Sequence, residues 1–468
     1  MWNPAFFRFA FSIAAHERVT VRRLAIACSL ALSILPVSGK ALKMDARAPA
    51  PEQAIDPERA ARYFQEAEAA SRQDDRRLWG VPLYGPMFFV DPDTHALVAN
   101  QADQEGKLRA KDGVFVGNLP PETSPANTAI KWAGVDWTMV MWPLPEDRQS
   151  RLRLILHECF HRVQTTLGIQ MRDAVNSHLD SLDGRVWLEM EWHALERALW
   201  QSEEARRTAV EDALYFRSFR RSLFRDAAAN ENVLELNEGL AEYTGVKLST
   251  ASMAEFAMVA DMKLRQALSD RENFVRSFAY TSGPAYGYLL DARSPKWRSS
   301  LTPQSDLGQL LAAAYEIKLP APGRAEAVRR AQPYDGDEVI ALETMREREH
   351  EEKVSAARKQ FIEGPVLMLP VDGQFNYSFN PHAVLAVDED STVYEGEVQV
   401  SDVWGVLHSS NGFLMLRRNG SIAGVHVSAP ADPNSRPLKG DGWTLDLRSG
   451  WAVVPGSRKG DLTLKKTP

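Results

Sequence analysis

From residue 56 onward the chain changes its hydrophobic rhythm three times. Residues 56–76, DPERAARYFQEAEAASRQDDR, repeat apolar groups at helical spacing behind an Asp56-Pro57 start signal, which predicts an amphipathic helix. Between 79 and 143 the period drops to two. PMFFV, HALVAN, GVFVG and WTMVMW read as strands separated by DPDT, glycine and proline. From 147 to about 360 the helical period returns. Asp147 to Leu167 predicts one helix, with a start signal in Pro145, Glu146 and Asp147 and a C-terminal cap in Gly168. Its apolar residues Leu152, Leu154, Ile155, Leu156, Phe160 and Val163 cover more than one face, so its middle should be buried. A second helix is expected at 234–245, LELNEGLAEYTG, closed by Gly245. VWLEMEWHALERALW should line the core, and REREHEEKVSAARKQF reads as a solvated or connecting helix. Past 362, short runs such as VLMLP, AVLAV, TVYEGEVQV and FLMLR alternate with Gly, Pro, Asn and Asp, which argues a small β-sandwich or barrel.

The expected fold class is therefore α+β. A helix and a small antiparallel sheet occupy 56–145, a mainly helical domain follows at 146–361, and an all-β domain closes the chain at 362–468. With 468 residues, two or three domains are affordable in length. A net charge of −7 without a basic patch argues against a nucleic-acid partner.

The N-terminal region changes the picture in one respect. RRLAIACSLALSILPVSG (22–39) has the positive end, short apolar core and small residues of an export signal, so 1–39 is expected to be removed and 40–55 to act as a linker. The 20 residues before it are long for such a signal, and translation from near Val19 or Val21 would account for them. Removal also takes away Cys28, one of two cysteines, leaving Cys159 with no internal disulfide partner. No later apolar run reaches membrane-spanning length. The expected location is exported, periplasmic or extracellular.

Within the first long helix, LILHECFHRV buries polar chemistry among apolar residues. His157 and His161 are four apart and share a face, so two imidazoles can hold one divalent zinc ion. Glu158, rotated off that stripe, can take a proton from a water held there, which is the H-E-x-x-H pattern. The sequence after His161 is RVQTTL and supplies no third histidine, which excludes the metzincin continuation. In the second helix Glu238 and Glu242 also share a face. One of them can bind the metal while the other accepts the free N–H of a metal-binding histidine. The competing readings are two core histidines with protein partners and a solvated stripe of Glu231, Glu235, Glu238 and Glu242. Gly239 argues against the bland stripe, because a glycine inside a helix costs stability and permits close approach of another element.

HECFH followed by NEGLAEY resembles the gluzincin, or thermolysin-like, zinc metallopeptidases, in particular their bacterial branch with an E-G-x-A-x-Y second helix. The resemblance covers roughly 145–290. It implies a zincin-like catalytic domain with His157, His161 and Glu238 as zinc ligands, Glu158 as general base and Glu242 supporting a ligand histidine. It also implies a tyrosine opposite the metal to steady the oxyanion. SFAYTSGPAYGYLLD (277–291) offers Tyr280 first and Tyr286 second, with Tyr288 nearby. In such folds an edge strand over the zinc helix pairs with extended substrate, which points to 136–142 or a neighbour. The implied function is zinc-dependent hydrolysis of a peptide or protein substrate. The alternatives are a non-catalytic binding protein on a peptidase-like scaffold and a hydrolase of a non-peptide amide. Cys159 points away from the histidine stripe and reads as a small buried side chain, while His193, in LEMEWHALERAL with Glu189, reads as a packed or partly exposed helix histidine, with a ligand role as the alternative.

Overall fold

The computed structural model describes residues 55–467, apart from 121–122, 171–173, 175, 272–273, 374, 380–382 and 419–420. The expected export signal and nearly all of the 40–55 linker lie outside the described residues. No described helix is long and apolar enough to cross a membrane. The protein is α+β, with a helical region followed by a strand-rich C-terminal region, and the chain divides into two compact units at Val339/Ile340.

The first unit begins with α1 (Pro57–Asp74), capped by Asp56, whose carboxylate accepts from Glu58 N at 3.0 Å. Six strands follow: β1 (Met87–Val90), β2 (Ala96–Ala99), β3 (Arg109–Lys111), β4 (Val114–Asn118), β5 (Thr128–Trp132) and β6 (Val135–Met141). They form one sheet in the order β3-β4-β2-β1-β6-β5. Two corrections to the expected sheet follow. Strands β1 and β6 run parallel, so the sheet is mixed rather than purely antiparallel. Strand β6 has β1 on one side and β5 on the other, so both of its backbone edges are taken. Beyond it lies β5, TAIKW, whose outer edge has no strand partner among the described residues.

The helices of this unit are α2 (Arg148–Gln164), α3 (Leu182–Trp200), α4 (Glu203–Leu223), α5 (Ala227–Leu234), α6 (Leu240–Ser249), α7 (Met253–Asp270), α8 (Phe274–Arg293), α9 (Leu307–Ala314) and α10 (Arg324–Ala331). Helix α2 starts at Asp147, which caps Ser150 N at 2.8 Å, and gives way to a short tight turn closed by Gly168 at φ +79°. One face of α2 packs Leu152, Ile155, Leu156 and Phe160 into the core against β6 and α6. The second helix is not closed at Gly245. α5 runs into a single widened π-turn, Glu235–Gly239, and then into α6, which passes through Gly245 to Ser249. Gly245 serves packing instead: a Cβ there would lie 2.4 Å from the Arg153 carbonyl oxygen, so its absence lets α6 and α2 touch.

Helix α11 (Gly336–Arg358) spans the division, which therefore falls earlier than the expected 361/362 boundary. The physical reason is that Ala357 and Phe361, at the end of this helical segment, bury against Leu385, Val387, Val393 and Leu414 of the second unit. Among the described residues that unit holds a seven-stranded and a five-stranded sheet. Leu367, Phe413, Met415 and Val425 of the first and Val400, Leu407, Trp443 and Leu445 of the second share one core, which makes the arrangement a β-sandwich.

Candidate metal centre

Helix α2 supplies two imidazoles and the π-turn supplies one carboxylate. His157 Nε2 and His161 Nε2 lie 3.1 Å apart, and each is 3.3 Å from Glu238 Oε2. These three residues form a group able to hold a metal ion. The histidines are 4% and 5% exposed, while the Glu238 side chain retains 17%, so the centre is open chiefly on its carboxylate side.

The remaining ring nitrogens settle which atoms face the centre. His157 Nδ1 lies 2.9 Å from Glu242 Oε2, and an ionised carboxylate can only accept, so that nitrogen carries the hydrogen. His161 Nδ1 lies 2.9 Å from Gln164 Oε1. Both Nε2 lone pairs then converge on Glu238 Oε2, a buried oxygen with no hydrogen-bond donor among the described residues. Three acceptors at such separations repel unless a cation stands among them. The donor set of two imidazoles and a carboxylate with hydrogen-bonded outer partners is therefore one that a divalent metal fits.

The electrostatics agree. Burial alone would lower the pKa of His157, yet Glu238 and Glu242 outweigh it and raise it to about 10. Burial likewise opposes a charge on His161, but Glu238 raises it. Burial works against ionised Glu238 and Glu242, but the imidazoles beside Glu238, and Lys263 with His157 beside Glu242, hold both below the ordinary carboxylate range. With protein groups alone the carboxylates thus draw a proton onto the imidazoles, which stands where a metal cation would replace it.

Glu158 takes no part in the triad. Its Oε1 stands 4.0 Å from His157 Nε2, and its Oε2 is buried without a partner. Burial, partly offset by the two imidazoles, pushes its pKa up, the direction a general base needs. Tyr280 lies across the centre on α8, its ring parallel to that of His157 at 5.5 Å and 4°. Burial and the neighbouring Glu238 carboxylate keep its hydroxyl protonated. It is carried there by a contact of two backbones: a Cβ on Gly283 would lie 2.4 Å from the Gly239 carbonyl oxygen, so α8 and the π-turn meet without side chains between them.

The other candidates fall elsewhere. Tyr286 donates to Glu191 at 2.7 Å inside an ionic cluster, and Tyr288 packs edge-on to Phe256. Cys159 turns toward Thr138 of β6, 4.0 Å away, and burial pushes its thiol up to about 11. His193 stands 4.0 Å from Glu196 on its own helix. The groove lined by Leu97, Lys107, Arg109 and Val116 includes none of the triad residues.

Several contributors escaped the sequence reading. Gln164, three residues after His161, shares its face and could have been found by spacing. Asn237 joins Gln164 Nε2 at 2.8 Å and Glu238 Oε1 at 3.1 Å. Lys263 of α7 reaches Glu242 Oε1 at 2.8 Å, with Arg153 at 3.6 Å, and nothing in the sequence links α7 to this centre. No protein-family model, curated protein or solved structure matches the chain.

Proposed function

We propose that the protein is a zinc-dependent metallopeptidase. The observation that carries this reading is the convergence of both histidine Nε2 atoms on Glu238 Oε2, a buried oxygen without a hydrogen bond among the described residues, beside Glu158, whose Oε2 is also buried without one. His157, His161 and Glu238 would hold the ion. When bound, zinc supplies a Lewis acid that polarises a carbonyl and makes water acidic enough to attack near neutral pH.

The chain's own residues do the rest. Glu158, raised by burial, removes a proton from the attacking water and passes it to the leaving amine. Tyr280, protonated at any ordinary pH, donates a hydrogen bond to the oxyanion as the carbonyl becomes tetrahedral. Glu242 keeps His157 in the tautomer that faces the centre. The free edge of β5, next to β6, is the position from which an extended peptide backbone could be held. The H-E-x-x-H and E-G-x-A-E-Y motifs support a gluzincin assignment, and the signal-like 22–39 segment supports an exported enzyme.

Zinc content per chain, with mass spectrometry of products from a mixed peptide library, tests the proposal. Stoichiometric zinc and new peptide termini are expected, and Glu158→Gln should retain zinc while losing about 10²–10⁴-fold in rate. Zinc without cleavage of any peptide would favour the binding-scaffold reading. Failure to load zinc would make His157 and His161 core residues.

A further inference from the structure

Two amide side chains connect one member of the triad to another. Glu238 Oε1, the oxygen turned away from the imidazoles, accepts from Asn237 Nδ2 at 3.1 Å. Asn237 Oδ1 accepts from Gln164 Nε2 at 2.8 Å, and Gln164 Oε1 meets His161 Nδ1 at 2.9 Å. The circuit closes where His161 Nε2 faces Glu238 Oε2 at 3.3 Å. Gln164 is fully buried and Asn237 nearly so, which leaves little room for water to replace a lost link.

The order of donors and acceptors around this circuit has only one solution. An ionised carboxylate only accepts, so Asn237 must turn its NH₂ group to Glu238. Its carbonyl oxygen then faces Gln164, which must answer with its own NH₂. That turns the Gln164 carbonyl to His161, and His161 Nδ1 must carry the hydrogen. The lone pair of His161 is left on Nε2, aimed at the same point as that of His157. Reversing any link would set two donors or two acceptors face to face in a buried place, at a cost of roughly 1–3 kcal/mol for each unsatisfied group.

The two histidines are thus oriented by different means. His157 is served directly by the Glu242 carboxylate, whose charge Lys263 and Arg153 offset. His161 is served by a neutral amide. Glu158, Glu238 and Glu242 already bring three carboxylates into this region, and a fourth at position 164 would add buried negative charge. An amide presents the acceptor that His161 needs without that charge.

We propose that Gln164 and Asn237 form a polarity relay, through which the charge on Glu238 sets the tautomer of His161, and that Gln164 is thereby a positioning residue for metal binding. The relay rests on the reading of the triad as a metal site. It has a consequence that simple packing lacks: what matters at position 164 is an acceptor toward His161, not the shape of the side chain alone.

Zinc affinity, measured on the purified full chain by competition with a chromogenic chelator, tests the relay in Gln164→Leu, Gln164→Glu and Asn237→Ala. The Tm of each chelator-treated variant is read in parallel. Gln164→Leu should lose about 10–100-fold in affinity. Gln164→Glu keeps an acceptor for Nδ1 but sets a second acceptor against Asn237 Oδ1, so its affinity should fall between those of wild type and Gln164→Leu. A packing role would move Tm and would not separate the two variants by affinity. Stoichiometric zinc in wild type with unchanged affinity in Gln164→Leu overturns the relay alone. Equal losses in Gln164→Leu and Gln164→Glu also overturn it. Absence of zinc binding in wild type overturns the metal-site reading itself, and the relay with it. Should Gln164→Leu not fold, Asn237→Ala decides: a loss of about tenfold supports the relay, and unchanged affinity overturns it.

Discussion

The stretch from Ala227 to Ser249 carries two pairs of acidic residues with opposite fates. Glu231 and Glu235 face arginines of α4. Arg220 binds Glu231 at 2.8 Å and Arg221 binds it at 2.6 Å, while Arg217 grips both oxygens of Glu235 at 2.5 Å. Glu191, Asp306, His178 and Tyr286 complete this cluster. Glu238 and Glu242, one and two turns further on, face the histidines of α2. Among the described residues no lysine or arginine reaches Glu238. The first pair has its cations built into the chain, always charged and forked to match a carboxylate. In the second, Glu242 still has Lys263 and Arg153 close by and accepts from His157 Nδ1, while Glu238 faces only the two imidazoles, so Glu238 alone is left without a built-in lysine or arginine. Glu231 and Glu235 are held by the chain's own arginines, whereas Glu238 belongs to the candidate metal centre.

Removing a built-in cation should have the largest effect. Arg220→Met would leave Glu191 and Glu231 buried without their main partner, and a loss of about 3–5 kcal/mol is expected in denaturant unfolding. A loss below 1 kcal/mol would mean that the two pairs do not differ as described. On the other side of the comparison, Tyr280→Phe should leave stability and zinc content intact and lower kcat by about 10²–10³-fold, the effect of deleting one oxyanion donor. An unchanged kcat would remove Tyr280 from the chemistry.

The proposed metal can be withdrawn without mutation. Zinc at a hundredfold excess over its Kd should add about 2.7 kcal/mol to stability, and a chelator should reverse this. Glu238→Gln should abolish the zinc-dependent gain, whereas Arg220→Met, if folded, should keep it.

The smallest effect concerns acid. Burial raises the pKa of Glu231, but Arg220 and Arg221 outweigh it and hold the group well below its ordinary 4.5. Arg217 and Arg221 do the same for Asp306 against its ordinary 3.8. A lowered carboxylate contributes stability that is present above the unfolded pKa and lost as pH falls toward the folded one. Unfolding midpoints should therefore hold steady down to about pH 4.5 and fall below it, and Glu231→Gln should flatten that fall.

The split in how these groups are recognised has a cause in chain geometry. His157, Glu158 and His161 are legible because their relation is local: one helix and a fixed spacing bring them to adjoining faces. Gln164 was within reach of the same argument. The stripe Glu231, Glu235, Glu238 and Glu242 was also visible, yet as a stripe it fits a solvated face as well as a buried one. Nothing local says that Arg217, Arg220 and Arg221 lie against its first half, because they belong to a separate helix. Lys263, 25 positions after Glu238, is equally silent in the sequence.

Periodicity and turn residues by themselves determined the α+β class, the H-E-x-x-H helix and its start near Asp147, most strands of the first sheet, and the β-rich end of the chain. These depend on interactions within a few residues, which recur wherever the local pattern does. Only the tertiary structure decided that β6 is interior, that α6 runs on through Gly245, and that a π-turn presents Glu238. It alone separated Tyr280 from Tyr286 and turned four glutamates into one ionic cluster and one candidate metal centre. Those outcomes depend on which distant side chains share a buried volume, and burial is what turns a charge from a solvated ornament into a demand for a specific partner.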